Sequence, residues 1–201
     1  MLQYILTEND RWTVGELAQM AVEGGCLWIS LHLPDKTDAE IRDLVEPDVI
    51  ELCRESSVFL TIDDRPELAR ELGLHGVRLS KNFFLNHPDM TPVGLREELG
   101  PEAVIGLELV DPTSLRSLVA ADLDFLTVPS TLSKEARRRY IDVVKSSSNP
   151  IPVVIEGNLG IDEALGAIVD GFSGIALGSP FSDSADPVAT MQMYIDSLNS
   201  I

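Results

Sequence analysis

Short apolar runs recur along the chain, and each stops at a polar or glycine-containing turn. The clearest unit lies in the first half. The run 58–62 ends in Asp63-Asp64, Pro66 opens a helical stretch with Glu67 in its first turn, Gly73 stops it, and a second apolar run follows at 76–79. The order is strand, polar tip, helix, strand. The same pattern predicts strands at 2–6, 26–33, 58–62, 76–79, 103–109, 124–128, 152–155 and 174–177. Between and after them it predicts a helix capped by Thr13 and running to Glu23, then helices at 38–54, 66–72, 93–99, 112–121, 133–145, 161–169 and 187–198. Thr13 and Glu16 have capping-box spacing, and Gly24-Gly25 follows the first helix. Eight strand–helix pairs with near-continuous apolar strands predict a parallel sheet covered on both faces, an α/β fold of the single-domain (β/α)8 TIM-barrel kind over residues 1–201. In that fold every polar tip lies on one rim, where such barrels keep their chemistry.

Composition narrows the function. A chain of 201 residues that is 44% hydrophobic can bury one sizeable core, and no linker-like stretch divides it. No apolar run approaches the ~18 residues of a membrane span, and the N-terminus lacks the pattern of a signal peptide, so a cytoplasmic protein is expected. Thirty-three acidic against fifteen basic residues give a formal charge of −18. That field repels nucleic acid and anionic membrane, which excludes both as partners, and it obliges any phosphorylated ligand to find local cations or backbone amides. Cys26 and Cys53 lie among apolar residues and read as buried thiols. The sequence is compatible with a homo-oligomer.

The candidate chemistry lies at the strand tips. The second strand ends in Ser30 and His32, whose imidazole titrates near neutrality and suits proton transfer. Asp64 is a candidate metal ligand, but Asp64 and Glu67 also have capping-box spacing, and Pro66 suits a first helical turn. Asp63 falls on the other side of the strand period, which suggests a supporting or surface role. Arg78 and Lys81 follow the fourth strand, Glu108 ends the fifth and Glu156 the seventh. Glu108 and Glu156 either pair with Arg78 and Lys81 across the rim or join Asp64 around a cation. The turns Gly157-Asn158 and Gly178-Ser179 either cradle a phosphate through backbone amides or are plain turns. Arg137-Arg138-Arg139 reads as a solvated helix face.

With the tips placed, the chain resembles the thiamine-phosphate synthase family and its thiazole-tautomerase relatives. The family's Asn-Asp turn and the Gly-x-His-Leu-Gly-Gln that follows resemble Asp63-Asp64 and Gly76-Val77-Arg78-Leu79-Ser80-Lys81. Its Pro-Val-Val-Ala-Ile-Gly-Gly-Ile turn resembles Pro152-Val153-Val154-Ile155-Glu156-Gly157-Asn158-Leu159, and its Gly-Val-x-x-x-Ser-Ala-Ile turn resembles Gly174-Ile175-Ala176-Leu177-Gly178-Ser179-Pro180-Phe181. The resemblance implies a transferase of thiamine biosynthesis that joins a pyrimidine pyrophosphate to a thiazole phosphate with magnesium. The family's Gln-x-Arg-x-Lys motif falls on Ser30, His32 and Pro34, so two permanent charges become one imidazole, with Lys36 two residues out of register. Of the two metal carboxylates Asp64 remains and the second falls near Phe83, which implies a weak Mg2+ site. The Thr-x-Thr-Lys loop resembles Ser130-Thr131-Leu132-Ser133-Lys134 and makes Lys134 a candidate phosphate contact. The family's serine after the fifth strand becomes Glu108, and the tautomerase's histidine falls on Val110. The resemblance therefore implies His32, Asp64 and Glu108 as catalytic candidates. Ser30, Arg78, Lys81, Lys134, Glu156, Gly157, Asn158, Gly178 and Ser179 are substrate or phosphate contacts, the ligand is a small phosphorylated heterocycle, and the alternative is a non-catalytic binding or regulatory barrel.

Overall fold

The computed structural model describes residues 1–46, 48–109, 122–147 and 150–201. Its strands are β1 (Leu2–Leu6), β2 (Trp28–Leu31), β3 (Phe59–Asp63), β4 (Gly76–Leu79), β5 (Val104–Glu108), β6 (Phe125–Pro129), β7 (Val153–Glu156) and β8 (Gly174–Leu177). Each pairs in parallel with the next, and β8 returns to β1, closing a barrel. The described helices are α1 (Val14–Glu23), α2 (Asp38–Val45), α3 (Val49–Glu55), α4 (Pro66–Glu71), α5 (Phe83–Asn86), α6 (Pro92–Leu99), α7 (Lys134–Lys145), α8 (Ile161–Asp170), α9 (Ser179–Ser182) and α10 (Pro187–Asn199). This is the (β/α)8 barrel that the apolar periodicity predicts. None of the described helices is long and apolar enough to cross a membrane.

Local chemistry sets the helix starts. The Thr13 hydroxyl accepts from the Glu16 amide at 3.2 Å, and the Glu16 carboxylate accepts from the Thr13 amide at 2.8 Å. Thr37 and Glu40 repeat the arrangement at α2. Each pair satisfies two amides that a helix N-terminus leaves without partners. The expected single helix 38–54 is two helices instead, and the sequence carries Pro47 between them, a residue without an amide hydrogen that disfavours helix just before it. Strand β2 is shorter than the expected 26–33, and the four-residue helices α5 and α9 add to the predicted set. The expected helix 112–121 lies outside the described residues.

Alternation along the strands divides the core in two. Leu60 and Ile62 of β3 join the large cluster between the sheet and its helices, whereas Ile5, Phe125, Val154 and Ala176 form a smaller cluster inside the barrel. The inward series therefore includes 59, 61 and 63 on β3, 104, 106 and 108 on β5, and 154 and 156 on β7. At Gly106 an added Cβ would lie 2.1 Å from the Phe125 ring, so the interior accepts that ring only because position 106 has no side chain. Both thiols, Cys26 and Cys53, are free and buried.

Candidate active site at the C-terminal mouth

Period-two alternation carries the inward series up to the C-terminal ends of the strands, where β3 delivers Asp63 and β4 delivers Arg78. These two residues are in register across the β3–β4 pair. The Arg78 Nε donates to Asp63 Oδ1 at 2.9 Å, and Nη2 donates to Oδ2 of the same carboxylate. The other Arg78 nitrogen, Nη1, reaches across the mouth to Glu156 Oε2 at the end of β7. The guanidinium is thus held by two carboxylates, with its side chain only 8% exposed. Of the two pairings open for Glu156 in the sequence, the ion pair with Arg78 is the one observed.

Asp63 is the hub of this mouth. It also accepts from the Ser30 hydroxyl at 3.1 Å and binds His32 Nδ1 at 2.7 Å. Below it a hydrogen-bonded chain runs down the barrel interior: Trp28 Nε1 donates to Thr61 Oγ1 at 3.1 Å, and Thr61 donates to Ser30 Oγ at 3.0 Å. Burial alone would push the Asp63 carboxyl up. The Arg78 charge and the hydrogen bonds from Arg78 and His32 outweigh it and hold Asp63 below the usual carboxylate range. An ionised carboxylate only accepts, so His32 Nδ1 donates and the neutral ring carries its lone pair at Nε2. The Asp63 hydrogen bond raises the His32 pKa, and partial burial and the Arg78 charge only partly oppose it. An imidazole fixed at one nitrogen, free of Asp63 at the other and half exposed is suited to move a proton.

The structure corrects two readings of the β3 tip. Asp63 lies on the inner face and not at the surface, in the supporting one of the two roles left open to it. The strand extends one residue past the expected Ile62, and the residue that alternation places beside Thr61 on the inner face is Asp63. Asp64 does not cap α4, whose N-cap is Arg65 without a side-chain cap. Instead Asp64 takes a left-handed backbone with φ of 54°, its amide donates to Arg78 O at 3.0 Å, and its carboxylate accepts from the Ser80 amide at 2.7 Å. A non-glycine residue held there marks a turn fixed by its surroundings.

The other candidates are dispersed around the rim. Glu108 ends β5, and its Oε2 accepts from the Lys81 amide at 3.4 Å; the Lys81 residue itself is exposed. Ser179 donates to Asn158 Oδ1 at 2.6 Å, which ties the tip after β7 to the start of α9. The Gly157 amide donates to Ala176 O at 3.1 Å, so that group of the expected phosphate cradle is already engaged. Gly157 also packs so closely on Ser130 that an added Cβ would sit 1.8 Å from the hydroxyl. Gly178 is the N-cap of α9. Lys134 turns away from the mouth: its Nζ lies 3.2 Å from Asp170 Oδ2 at the end of α8.

Residues 3–181 match the family model described as thiamine monophosphate synthase. The chain belongs to that family. Among curated relatives, a thiamine-phosphate synthase of Bacteroides thetaiotaomicron is 29% identical over 97% of this chain and 96% of its own length. One from Bacteroides fragilis is 30% identical over 93% of this chain and 94% of its own. Among solved structures, a thiamine phosphate pyrophosphorylase from Pyrococcus furiosus superposes with a TM-score of 0.80 at 22% identity, covering 99% of this chain and 95% of that one, which supports the fold.

For a member of the thiamine monophosphate synthase family, the metal is the first part to test against these residues. Magnesium wants near-octahedral oxygen ligands, with one or two carboxylates and substrate phosphates among them. Asp64 has one oxygen on the Ser80 amide, and the position of the second carboxylate is near Phe83, which is 2% exposed and stacked on His87 at 4.4 Å. Among the described residues no three histidine, cysteine or carboxylate side chains are disposed to hold a metal ion. Among the described residues the donor set does not fit the family's magnesium. Val110, the position of the tautomerase histidine, lies outside the described residues.

Proposed function

We propose that this protein is a divergent thiamine-phosphate synthase-like member of thiamine biosynthesis, which binds a phosphorylated thiazole or pyrimidine heterocycle at the C-terminal mouth and has reduced pyrophosphate and metal sites. The observation that carries this reading is Arg78 held between Asp63 and Glu156. Departure of pyrophosphate concentrates negative charge, and catalysis of that step needs preorganised positive charge aimed at it. Here Arg78 is neutralised within the protein, Lys36 lies 3.0 Å from Glu8, and Arg65 lies 2.6 Å from Asp38. Glu108 and Asp64 add repulsion of ~1 to 4 kcal/mol for a phosphate 4 Å away, depending on the effective dielectric.

The remaining parts divide the work as follows. His32 Nε2 exchanges a proton with the ligand, and Glu108 stands as the second proton-handling group. The Asp63–Arg78–Glu156 network and Ser30 form a rigid polar floor. The Asn158–Ser179 tie and Gly178 form the side of the mouth that receives the phosphate, helped by Lys81. Asp64 fixes the β3–β4 rim through the Ser80 amide.

The same pairing of Lys36, Arg65 and Arg78 with carboxylates favours a second reading, a binding or regulatory barrel without turnover. Incubation with pyrimidine pyrophosphate, thiazole phosphate and magnesium, followed by assay of thiamine phosphate, separates the two, with thermal shift on each precursor alone. Stabilisation by one precursor with slow coupling supports the first reading, and stabilisation with none supports the second. Rapid coupling would contradict the reduced site, and no stabilisation by either precursor would contradict the ligand class.

A further inference from the structure

At the end of the barrel opposite the mouth, the structure holds a cup of about 530 Å³. Its wall is formed at the starts of β2, β3, β5 and β6 and by the last turns of α10, through Leu27, Trp28, Phe59, Val104, Phe125 and Ile195 among others. Trp28 meets Phe125 edge-on at 5.0 Å between centroids and Phe59 at a tilt at 6.2 Å. Phe59 is 46% exposed and Leu27 66%, so the aromatic wall continues to an open rim. The volume is within the ~300–1,000 Å³ of small-molecule sites, and the lining is of the apolar kind such sites have.

The chemistry of the wall selects an uncharged occupant. The Trp28 Nε1 is turned inward to Thr61, the Cys26 thiol donates to Trp28 O at 3.2 Å, and Asp124 accepts from Arg96 and from the Ile105 amide, both at 2.7 Å. Among the described residues the wall contains no lysine, arginine or histidine, and the ammonium of Met1, which also lines the cup, donates to Ser173 O at 3.3 Å. Asn199 at the rim offers an uncharged amide. A second copy of this chain is disfavoured as occupant by the like charge of −18 on each. We propose that this cup is a second binding site, for a neutral, largely aromatic small molecule that packs its rings on Trp28, Phe59 and Phe125. The cup and the mouth lie at opposite ends of the barrel and share none of their named residues.

The test uses two probes that share an anilinonaphthalene skeleton and differ in charge: neutral N-phenyl-1-naphthylamine and anionic 1-anilinonaphthalene-8-sulfonate. Saturable fluorescence enhancement by the neutral probe is expected, at one site per chain, with the sulfonate bound at least ~10-fold more weakly because its charge would be buried without a partner. Leu27→Asp places a carboxylate on the rim and Phe59→Ser removes a ring. Both positions are exposed enough to leave the fold intact, which an unchanged thermal midpoint verifies, and each is expected to weaken the neutral probe by ~10-fold or more. Light scattering records the mass throughout. Non-saturable binding, equal binding of the two probes, or variants that bind like the parent would overturn the proposal. So would a parent dimer that Leu27→Asp dissociates, since the cup would then be an interface between copies.

Discussion

Replacing Asp63 by asparagine removes the charge on which the mouth network converges while keeping its shape. Asp63 and Arg78 are nearly buried, with side chains 12% and 8% exposed. Removing one partner of a buried pair costs ~3–5 kcal/mol because the other charge is left uncompensated. Glu156 still holds one nitrogen of Arg78, which places Asp63→Asn near the lower end, at ~3 kcal/mol. For a chain of this size each kcal/mol moves the midpoint by ~2–4 °C, so calorimetry should show a fall of ~6–12 °C. Adding Arg78→Met should recover part of it, because the orphaned guanidinium goes with it. The same variant should lower the His32 pKa towards its ordinary value, since the hydrogen bond to the Asp63 carboxylate is the largest cause of its rise. The protein has three histidines, so imidazole titration by NMR with His32→Gln as the assignment standard reads this directly. A midpoint within ~2 °C of the parent, well short of the ~6 °C expected, with an unmoved His32 titration, would refute Asp63 as hub.

Stability should fall on both sides of neutrality, for opposite reasons. The depressed Asp63 contributes stability that is present above its unfolded pKa and is lost as pH falls through the lower folded value; the raised His32 contributes stability that is complete below its unfolded pKa and is lost as pH rises through the higher folded value. Denaturant midpoints from acid to mildly alkaline pH check this, and a rise through the His32 titration would contradict it. Thr61→Val interrupts the chain from Trp28 to Ser30 and should cost ~1–3 kcal/mol with a shift of the Trp28 indole N–H resonance; an unshifted resonance would mean the chain is not continuous in solution. Titration calorimetry with millimolar magnesium and no phosphate ligand should give little heat, whereas a tight site that Asp64→Asn abolishes would show the carboxylates to be a working metal centre.

The barrel was legible because strand periodicity and helix starts are local chemistry. Thr13 with Glu16 announces its helix in sequence, and the apolar runs need no partner to be recognised. The break between α2 and α3 was also within reach, since Pro47 stands in the middle of the expected helix. The site was legible in its parts and not in its wiring. The sequence places Ser30, His32, Arg78 and Glu156 at the tips, but the convergence of the first three on Asp63, and of Glu156 on Arg78, depends on the strand running one residue beyond Ile62, which the pair Asp63-Asp64 does not reveal. Inner-face alternation from Thr61 is the signal that would have found it. The contact of Asp64 with Ser80 joins residues sixteen apart through a left-handed turn, and the turn of Lys134 towards Asp170 depends on how α7 and α8 pack. Neither leaves a trace in local spacing.

The central claim is that the mouth's own carboxylates occupy the charge a pyrophosphate would need, and turnover with the two thiamine precursors tests it most directly. Losing one preorganised contact typically costs ~10²–10³ in rate, and two independent losses bring turnover to ~10⁻⁴ or less of a competent synthase. Complementation of a thiamine-requiring strain that lacks its own synthase, with the parent protein beside His32→Arg plus Pro34→Lys, reads this as growth. No growth with the parent chain is the result expected, growth only with the restored cations would support the charge argument directly, and robust growth with the parent chain would contradict it.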